Sequence, residues 1–353
     1  MSMKIALLAD LHFGVKKSDS TFQESQLRFF KNQLVPELKQ KQIDTIIVCG
    51  DVYDTRFAVN VQTENVVLNL FKETLKDFNV HIVVGNHDIF HTNTTEVNSL
   101  KSLDLLPNVT VYEKPTEVMF GTKKVLMLPW ITDYRDFNQI VLNNYEYAFA
   151  HLDIISFDMG GQLSSSGLLI TDVLNKFKHT YTGHYHHRTN RTYQDDKTIT
   201  YIGSPYQITR IDKNCERGYG ILDIETNDFH WENNTQSMKF NIFVYPNIDK
   251  TRITGQVVDI HVPYEFQSET KTIYDLVREL DALHPAYPVN TFNDPRPDNE
   301  EDDVTINTEN FNLLSLFPRY LEQIKDELPD TITTEELNVA LVELYNTFKG
   351  TES

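Results

Sequence analysis

Cysteine is scarce in this chain. Cys49 lies in an apolar run and Cys215 in a polar one, too few and too differently placed for a disulfide framework, and the expectation is a reducing, cytoplasmic setting. Long hydrophobic runs are missing too. No apolar stretch reaches the roughly 18 residues of a membrane span, and Met1-Ser2-Met3-Lys4 lacks the apolar core of a signal peptide. Basic charge is in short supply: 32 Lys and Arg stand against 51 Asp and Glu, net −19. That excludes a generally basic surface of the kind that clings to nucleic acid or anionic lipid. The deficit is uneven, because Asp294 to Ser353 hold 15 acidic and 4 basic residues, net −11, which leaves −8 for the first 293.

What is present is an ordinary globular composition, 40% hydrophobic and 24% charged over 353 residues, enough for about two domains. Short runs rich in Ile, Val, Leu and Tyr read as buried strands: Lys4 to Ala9, Thr45 to Cys49, Val80 to Val84, Val125 to Leu128, Tyr147 to Ala150, Thr180 to Thr182, Thr198 to Ile202 and Tyr219 to Ile224. Helical stripes lie between the early ones, with Leu27, Phe30, Leu34 and Leu38 on one face and Val66, Val67, Leu70 and Phe71 on another. The order implies an α/β layer architecture, parallel early and more antiparallel after about residue 190.

Beyond Trp231 the texture changes. Two strand-like runs, Phe240 to Tyr245 and Gln256 to Val262, precede a helix with Ile273, Leu276, Val277 and Leu280 on one stripe. The expected organisation is a main domain over 1–232, a small α+β module over 233–290, an acidic Pro-rich linker over 291–304 and a helical region over 305–353. In the last, Thr333 and Glu336 form a capping box ahead of Leu337, Ala340, Leu341, Leu344, Tyr345 and Phe348, and Gly350 can end the helix. An earlier helix around Leu313, Phe317, Tyr320, Leu321 and Ile324 is interrupted by Pro318.

Five strand-like runs end in potential metal ligands: Asp10 and His12, Asp51, Asn86 and His87, His151, then His184 and His186. In an open α/β sheet the carboxyl ends of the strands share one edge, so these scattered residues are expected to meet. Imidazoles bind transition metals, carboxylates add charge and can bridge, and an amide oxygen can complete a shell. Gly50, Gly85 and Gly183 would let the backbone turn tightly there. Each short motif is weak alone; all of them in order, each closing an apolar run, point to a metal site.

Asp10-Leu11-His12, Gly50-Asp51-Val52-Tyr53-Asp54, Gly85-Asn86-His87-Asp88, His151 and Gly183-His184-Tyr185-His186 resemble the five motifs of the calcineurin-like metallophosphoesterases. Within them the chain is most similar to the SbcD-type DNA nucleases, through Ala9 to Gly14, Leu128-Pro129-Trp130 and Tyr201-Ile202-Gly203-Ser204-Pro205. The overall layout resembles the nuclease subunit of T-even phage recombination endonucleases. The resemblance implies two packed mixed β-sheets flanked by helices, a small cap module that contacts DNA and a helical tail. It implies one metal on Asp10, His12 and His186, a second on Asn86, His151 and His184, and Asp51 bridging them. Two such cations can clamp a phosphodiester, lower the pKa of a bound water and stabilise the leaving oxygen. His87 matches the family's histidine that serves the leaving alkoxide. Asp88 would either fix that imidazole or stabilise the turn. Many nucleases of the family have a second catalytic histidine three residues after the bridging aspartate; this chain has Asp54, which would orient a ligand instead. Arg56 is a candidate phosphate contact.

The ligand set suits manganese or iron and permits zinc or Mg2+; the resemblance favours two Mn2+. It also implies a DNA exo/endonuclease subunit, homodimeric within a heterotetramer, partnered by an SMC-like ABC ATPase through helices at 310–328 and 334–348 in recombination, repair or replication, in the host cytoplasm if phage-encoded. The alternative is a phosphoesterase of the same fold acting on a nucleotide or other non-DNA phosphodiester, which the acidic composition favours. Two divalent cations would add +4 at the site against the −8 of the first 293 residues, so the expected DNA affinity of the isolated chain is weak.

Overall fold

The computed structural model describes residues 3–140 and 145–295, together with Thr333 and Leu337. The chain divides into two units, Met1–Pro295 and Arg296–Ser353. The first unit holds three sheets. Strands β1 (Lys4–Leu8), β2 (Thr45–Val48), β3 (Asn79–Val83), β4 (Val109–Tyr112), β5 (Thr116–Phe120), β6 (Lys123–Leu128), β7 (Tyr145–His151), β8 (Phe177–Gly183), β9 (Thr189–Thr192), β10 (Thr198–Tyr201), β11 (Gly218–Asp223) and β12 (Asp228–Asn233) form two of them. The six-stranded sheets run β12-β11-β1-β2-β3-β4 and β5-β6-β7-β8-β10-β9. The inner strands β1 to β3 are parallel, as are β6 to β8, while β11 pairs antiparallel with β1.

Alternation along each inner strand decides what packs where. Ile5, Leu7, Ala9, Ile47, Cys49 and Val83 of the first sheet meet Val125, Met127, Tyr147, Phe149 and Tyr181 of the second in one buried cluster. Their neighbours Ala6, Leu8, Ile46, Val48, Val80 and Ile82 turn the other way, against Phe29, Phe30, Leu34, Leu38, Val67, Leu70 and Phe71. On the far side of the second sheet Leu126, Leu128, Ala148 and Ala150 pack on Phe137 and Val173. The result is helix, sheet, sheet, helix, with both sheets buried on two faces; this is why their strands read as continuous apolar runs.

The helices begin where the sequence supplies acceptors: Asp19 accepts from the N–H of Phe22, and Asn60 from that of Gln62, both at 2.8 Å. The helix opening at Ser20–Phe29 passes through a π turn at Phe30–Leu34 into Val35–Gln40. Pro36 sits in the first turn after the widened segment, and the widening accommodates its ring and its missing N–H.

The third sheet is parallel throughout, β13 (Phe240–Val244), β14 (Val257–Val262) and β15 (Asn290–Asn293), with the helix Thr270–Asp281 crossing between the last two. Its own core comprises Phe243, Ile253, Val258, Ile260, Val262 and Leu280. β15 therefore takes in residues 291–293, expected above to open the linker. All four of its residues are exposed, so it carries no apolar signal. Of the tail, Leu337 donates its N–H to the Thr333 carbonyl at 3.1 Å, the spacing of a helical turn. The remaining tail and linker assignments, including Glu336 and the helices at 310–328 and 334–348, lie outside the described residues.

Gly183, at the end of β8, is pressed against the first sheet. A Cβ there would stand 2.2 Å from the Cys49 carbonyl oxygen and 3.0 Å from the Ala9 Cβ. Gly183→Ala is predicted to force the sheet ends apart and to lower unfolding stability by about 1–3 kcal/mol, read from the chemical-denaturation midpoint. An unchanged midpoint would mean that this approach is not tight.

Candidate metal centre

The loops after β1, β2, β3, β7 and β8 converge on one edge. The Asp10 N–H donates to the Gly50 carbonyl at 3.1 Å and the His12 N–H to that of Asp51 at 3.0 Å, continuing the β1–β2 pairing past the strand ends. The second sheet joins through the His184 N–H, which donates to Asp10 Oδ1 at 2.9 Å. Asp10, His12, Asp51 and His184 all have left-handed backbones, with φ of 54°, 44°, 55° and 98°. Such conformations cost on the order of 1–3 kcal/mol each and persist where surrounding structure over-determines them. The three glycines divide between two roles. Gly50, at φ 82°, needs its conformational freedom. Gly85 and Gly183 do not have positive φ; they are small because a Cβ on Gly85 would lie 2.2 Å from Asp51 Oδ1 and one on Gly183 would strike Cys49.

All seven expected ligands come together. Asp10, His12 and His186 form one group and Asp51, His151 and His184 another, each with its ligand atoms within 4.8 Å of one another. In the first, the Nε2 atoms of His12 and His186 face each other at 3.0 Å, about the spacing of two nitrogens each ~2.1 Å from one cation. Asp10 Oδ2 is buried beside them with no hydrogen-bond partner. In the second, Asn86 Oδ1 lies 2.8 Å from His151 Nε2 and 3.0 Å from His184 Nδ1. Asp51 Oδ2 stands between the groups, 3.3 Å from His151 Nε2 and 3.7 Å from His12 Nε2. An orphaned carboxylate oxygen, imidazole nitrogens turned toward each other and an amide oxygen among them fit divalent cations.

The tautomer of His151 is fixed from outside. Its Nδ1–H donates to the Cys49 carbonyl at 2.8 Å, which leaves Nε2 for the centre. His87 follows the same rule: Nδ1–H donates to the Asp54 carbonyl at 2.6 Å, its backbone N–H donates to Asp51 Oδ1 at 2.8 Å, and its ring stands edge-on to His12 at 4.9 Å. The Asp54 carboxylate lies close to His12, with Oδ1 3.3 Å from Nδ1, but that nitrogen makes no hydrogen bond. Among the described residues Asp88 makes no hydrogen bond to the His87 imidazole. Its buried carboxylate accepts backbone N–H groups from Asp51, Val52, Tyr53 and Gly85 at 2.9 to 3.2 Å, so it ties the β2 and β3 loops together. Of its two expected roles the geometry is that of the turn-stabilising carboxylate. Arg56 is half-buried and makes no hydrogen bond or ion pair among the described residues.

Other supports gave no local sequence signal. Gln26 Nε2 donates to the carbonyl of Leu11 and to the Tyr206 hydroxyl, which itself donates to Leu11. Buried Arg217 donates to the His186 carbonyl and pairs with Asp212. Trp130, inside a stretch singled out above, walls the centre with its ring 5.1 Å from His184 and 5.9 Å from His151.

Burial pushes the Asp10 carboxyl up to about 6, opposed by His151 and helped by the charge of Asp51. Burial favours a neutral Asp51 too, but His151, His12 and His87 outweigh it and hold that carboxyl well below the ordinary range. For His151, burial is overcome by the Asp51 charge, and the imidazole rises to about 9. His184 and His186 are driven down to about 3 by burial, reinforced by His151 and His12 respectively. At neutral pH the last two therefore offer lone pairs, whereas His151 carries a proton on Nε2 that a cation must displace. Metal loading at pH 7 is predicted to release protons from His151 and from His12, whose burial Asp54 and Asp51 outweigh so that its imidazole is raised, and affinity to rise with pH up to about 9. Calorimetric titration in two buffers of different ionisation enthalpy checks this; a buffer-independent heat would contradict it.

Comparison with known proteins agrees with this geometry. Residues 3–306 match the family model described as calcineurin-like phosphoesterase. The chain is 29% identical over 289 residues to exonuclease subunit 1 of Enterobacteria phage T4, covering 80% of this chain and 83% of that protein. It is 24% identical over 263 residues to the SbcD nuclease subunit of Staphylococcus epidermidis, covering 64% and 67%. Two packed mixed sheets, a carboxylate and histidine cluster at their shared edge and a match over most of the length lead to one conclusion: the chain belongs to the calcineurin-like phosphoesterases.

Proposed function

We propose that the chain is the nuclease subunit of a DNA-processing complex, hydrolysing phosphodiester bonds with two divalent cations, Mn2+ in the first place. The observation that carries this reading is the pair of ligand groups meeting at Asp51. Asp10, His12 and His186 would hold one cation, Asn86, His151 and His184 the other, with Asp51 between. When bound, the pair supplies Lewis-acid activation of water and of the phosphoryl oxygens.

The protein's own groups do the rest. His87 spends Nδ1–H on the Asp54 carbonyl, so Nε2 is the atom left to serve a leaving oxygen, and it would deliver a proton there only as the imidazolium. Asp54 stands on the Nδ1 side of His12 as a nearby negative charge, and Asp88 fixes the two loops on which Asp51, Asn86 and His87 stand. Trp130 closes one side of the second group and limits water there. The relatives' names support the nuclease assignment, and both are named as subunits. We assign the partner as an SMC-like ABC ATPase bound through 305–353, and 233–290 as the DNA-contacting cap of a homodimer.

The second reading, a non-DNA phosphodiester, is favoured by the net −8 of the first 293 residues. One experiment separates them: Mn2+-dependent digestion of linear double- and single-stranded DNA beside a small chromogenic phosphodiester, with the ATPase present or absent and with 304–353 retained or deleted. The prediction is that wild type degrades DNA, His87→Ala loses about 10²-fold and Asp51→Asn at least that much. Deletion of 304–353 is predicted to abolish any effect of the ATPase. Intact DNA alongside cleavage of the small substrate would establish the second reading.

A further inference from the structure

Beyond the metal ligands the chain turns from His186 through His187 to Arg188 and enters a groove of about 640 Å³. Its floor is Arg188 and Arg217, with His187, His230 and Trp231 on the walls and exposed Glu216 at the rim. Arg217 is 4% exposed, donates to the His186 carbonyl and is paired with Asp212; its Nε–H has no partner. Arg188 differs. Its Nη1 and Nη2 donate to neutral acceptors, Asn233 Oδ1 at 2.6 Å and the Glu232 carbonyl at 2.9 Å, and its Nε–H has no partner.

Among the described residues Arg188 makes no direct ion pair; the carboxylate whose charge acts on it through space is Glu216, at the exposed rim. A half-buried guanidinium with one N–H unmet and no direct ion pair has room for an anion to complete it. Arg217 adds an unmet donor to the same groove, and the Arg188 guanidinium carbon sits over the Trp231 ring at 5.8 Å. An indole layered with a guanidinium that keeps one N–H unmet suits a ligand that brings phosphate and a stacking base together.

We infer that this groove is a phosphate subsite for the nucleic-acid strand flanking the scissile bond, with Arg188 as its anion contact and Trp231 as its stacking wall. The ligand chemistry is a phosphate group; its assignment to a strand rests on the nuclease reading above. The groove's lining begins at His187, next in the chain to His186, and the Arg217 bond to the His186 carbonyl couples the two places.

The test uses the full chain in chelator at low ionic strength, titrated with a fluorescent single-stranded oligonucleotide and, separately, with inorganic phosphate. Arg188→Gln is predicted to weaken oligonucleotide binding about tenfold and to reduce its salt slope by about 1. Trp231→Ala is predicted to weaken it with the slope unchanged, since stacking carries no counterion. Arg188→Lys, with the same thermal midpoint as wild type, should restore the slope and exclude misfolding as the cause. Equal affinity and slope in wild type and Arg188→Gln would overturn the inference. Loss of phosphate binding alone would overturn the strand assignment. Should wild type with metal restored fail to cleave DNA while phosphate binding still depends on Arg188, the nuclease reading fails and the anion subsite stands.

Discussion

Everything at the centre depends on backbones from separate strands being held closer than side chains would allow. The Asp88 carboxylate is the tie. It collects the N–H groups of Asp51, Val52, Tyr53 and Gly85, donors that the sharp turns after β2 and β3 leave without ladder partners, and leaving them unmet in a buried place would cost on the order of 1–3 kcal/mol each. With those turns secured, Gly85 and Gly183 let the neighbouring loops close on Asp51 and Cys49. The strained backbones of Asp10, His12, Asp51 and His184 are then held by a frame that has no slack at these points.

The same closeness sets the electrostatics. Two carboxylates and four imidazoles share a space from which water is largely excluded, and they settle into unequal states. Asp51 stays ionised by leaning on His151, while His184 and His186 are kept neutral. The arrangement is suited to cations, because a positive charge there satisfies Asp10 Oδ2 and replaces the proton on His151. It also reconciles an acidic chain with the phosphodiester substrate proposed for it: attraction would be concentrated at one edge rather than spread over the surface, and more than half of the negative excess lies from Asp294 onward.

The sequence disclosed the inner strands and the candidate ligands for one physical reason. Strands buried on both faces read as uninterrupted apolar runs, and each run stops where its loop must turn into the site, so Asp10, Asp51, Asn86, His151 and His184 stood out as the first polar groups after a core segment. Five strands gave no such reading: β4, β5, β9, β12 and β15. Every one is an edge strand, with one side unpaired and much of its surface in water, so hydrophobic patterning fades. The helpers of the site were hidden for a related reason. Gln26 and Arg217 act from distant helix and loop positions through contacts that only the folded chain creates, and the sequence could not choose between two roles for Asp88 because both use the same carboxylate at the same turn.

The most direct test of the account is the position and number of cations in crystals grown with Mn2+, located by anomalous scattering. It predicts two peaks, one among Asp10, His12 and His186 and one among Asn86, His151 and His184, with Asp51 in contact with both. A single peak, or a second that avoids Asp51, would contradict it.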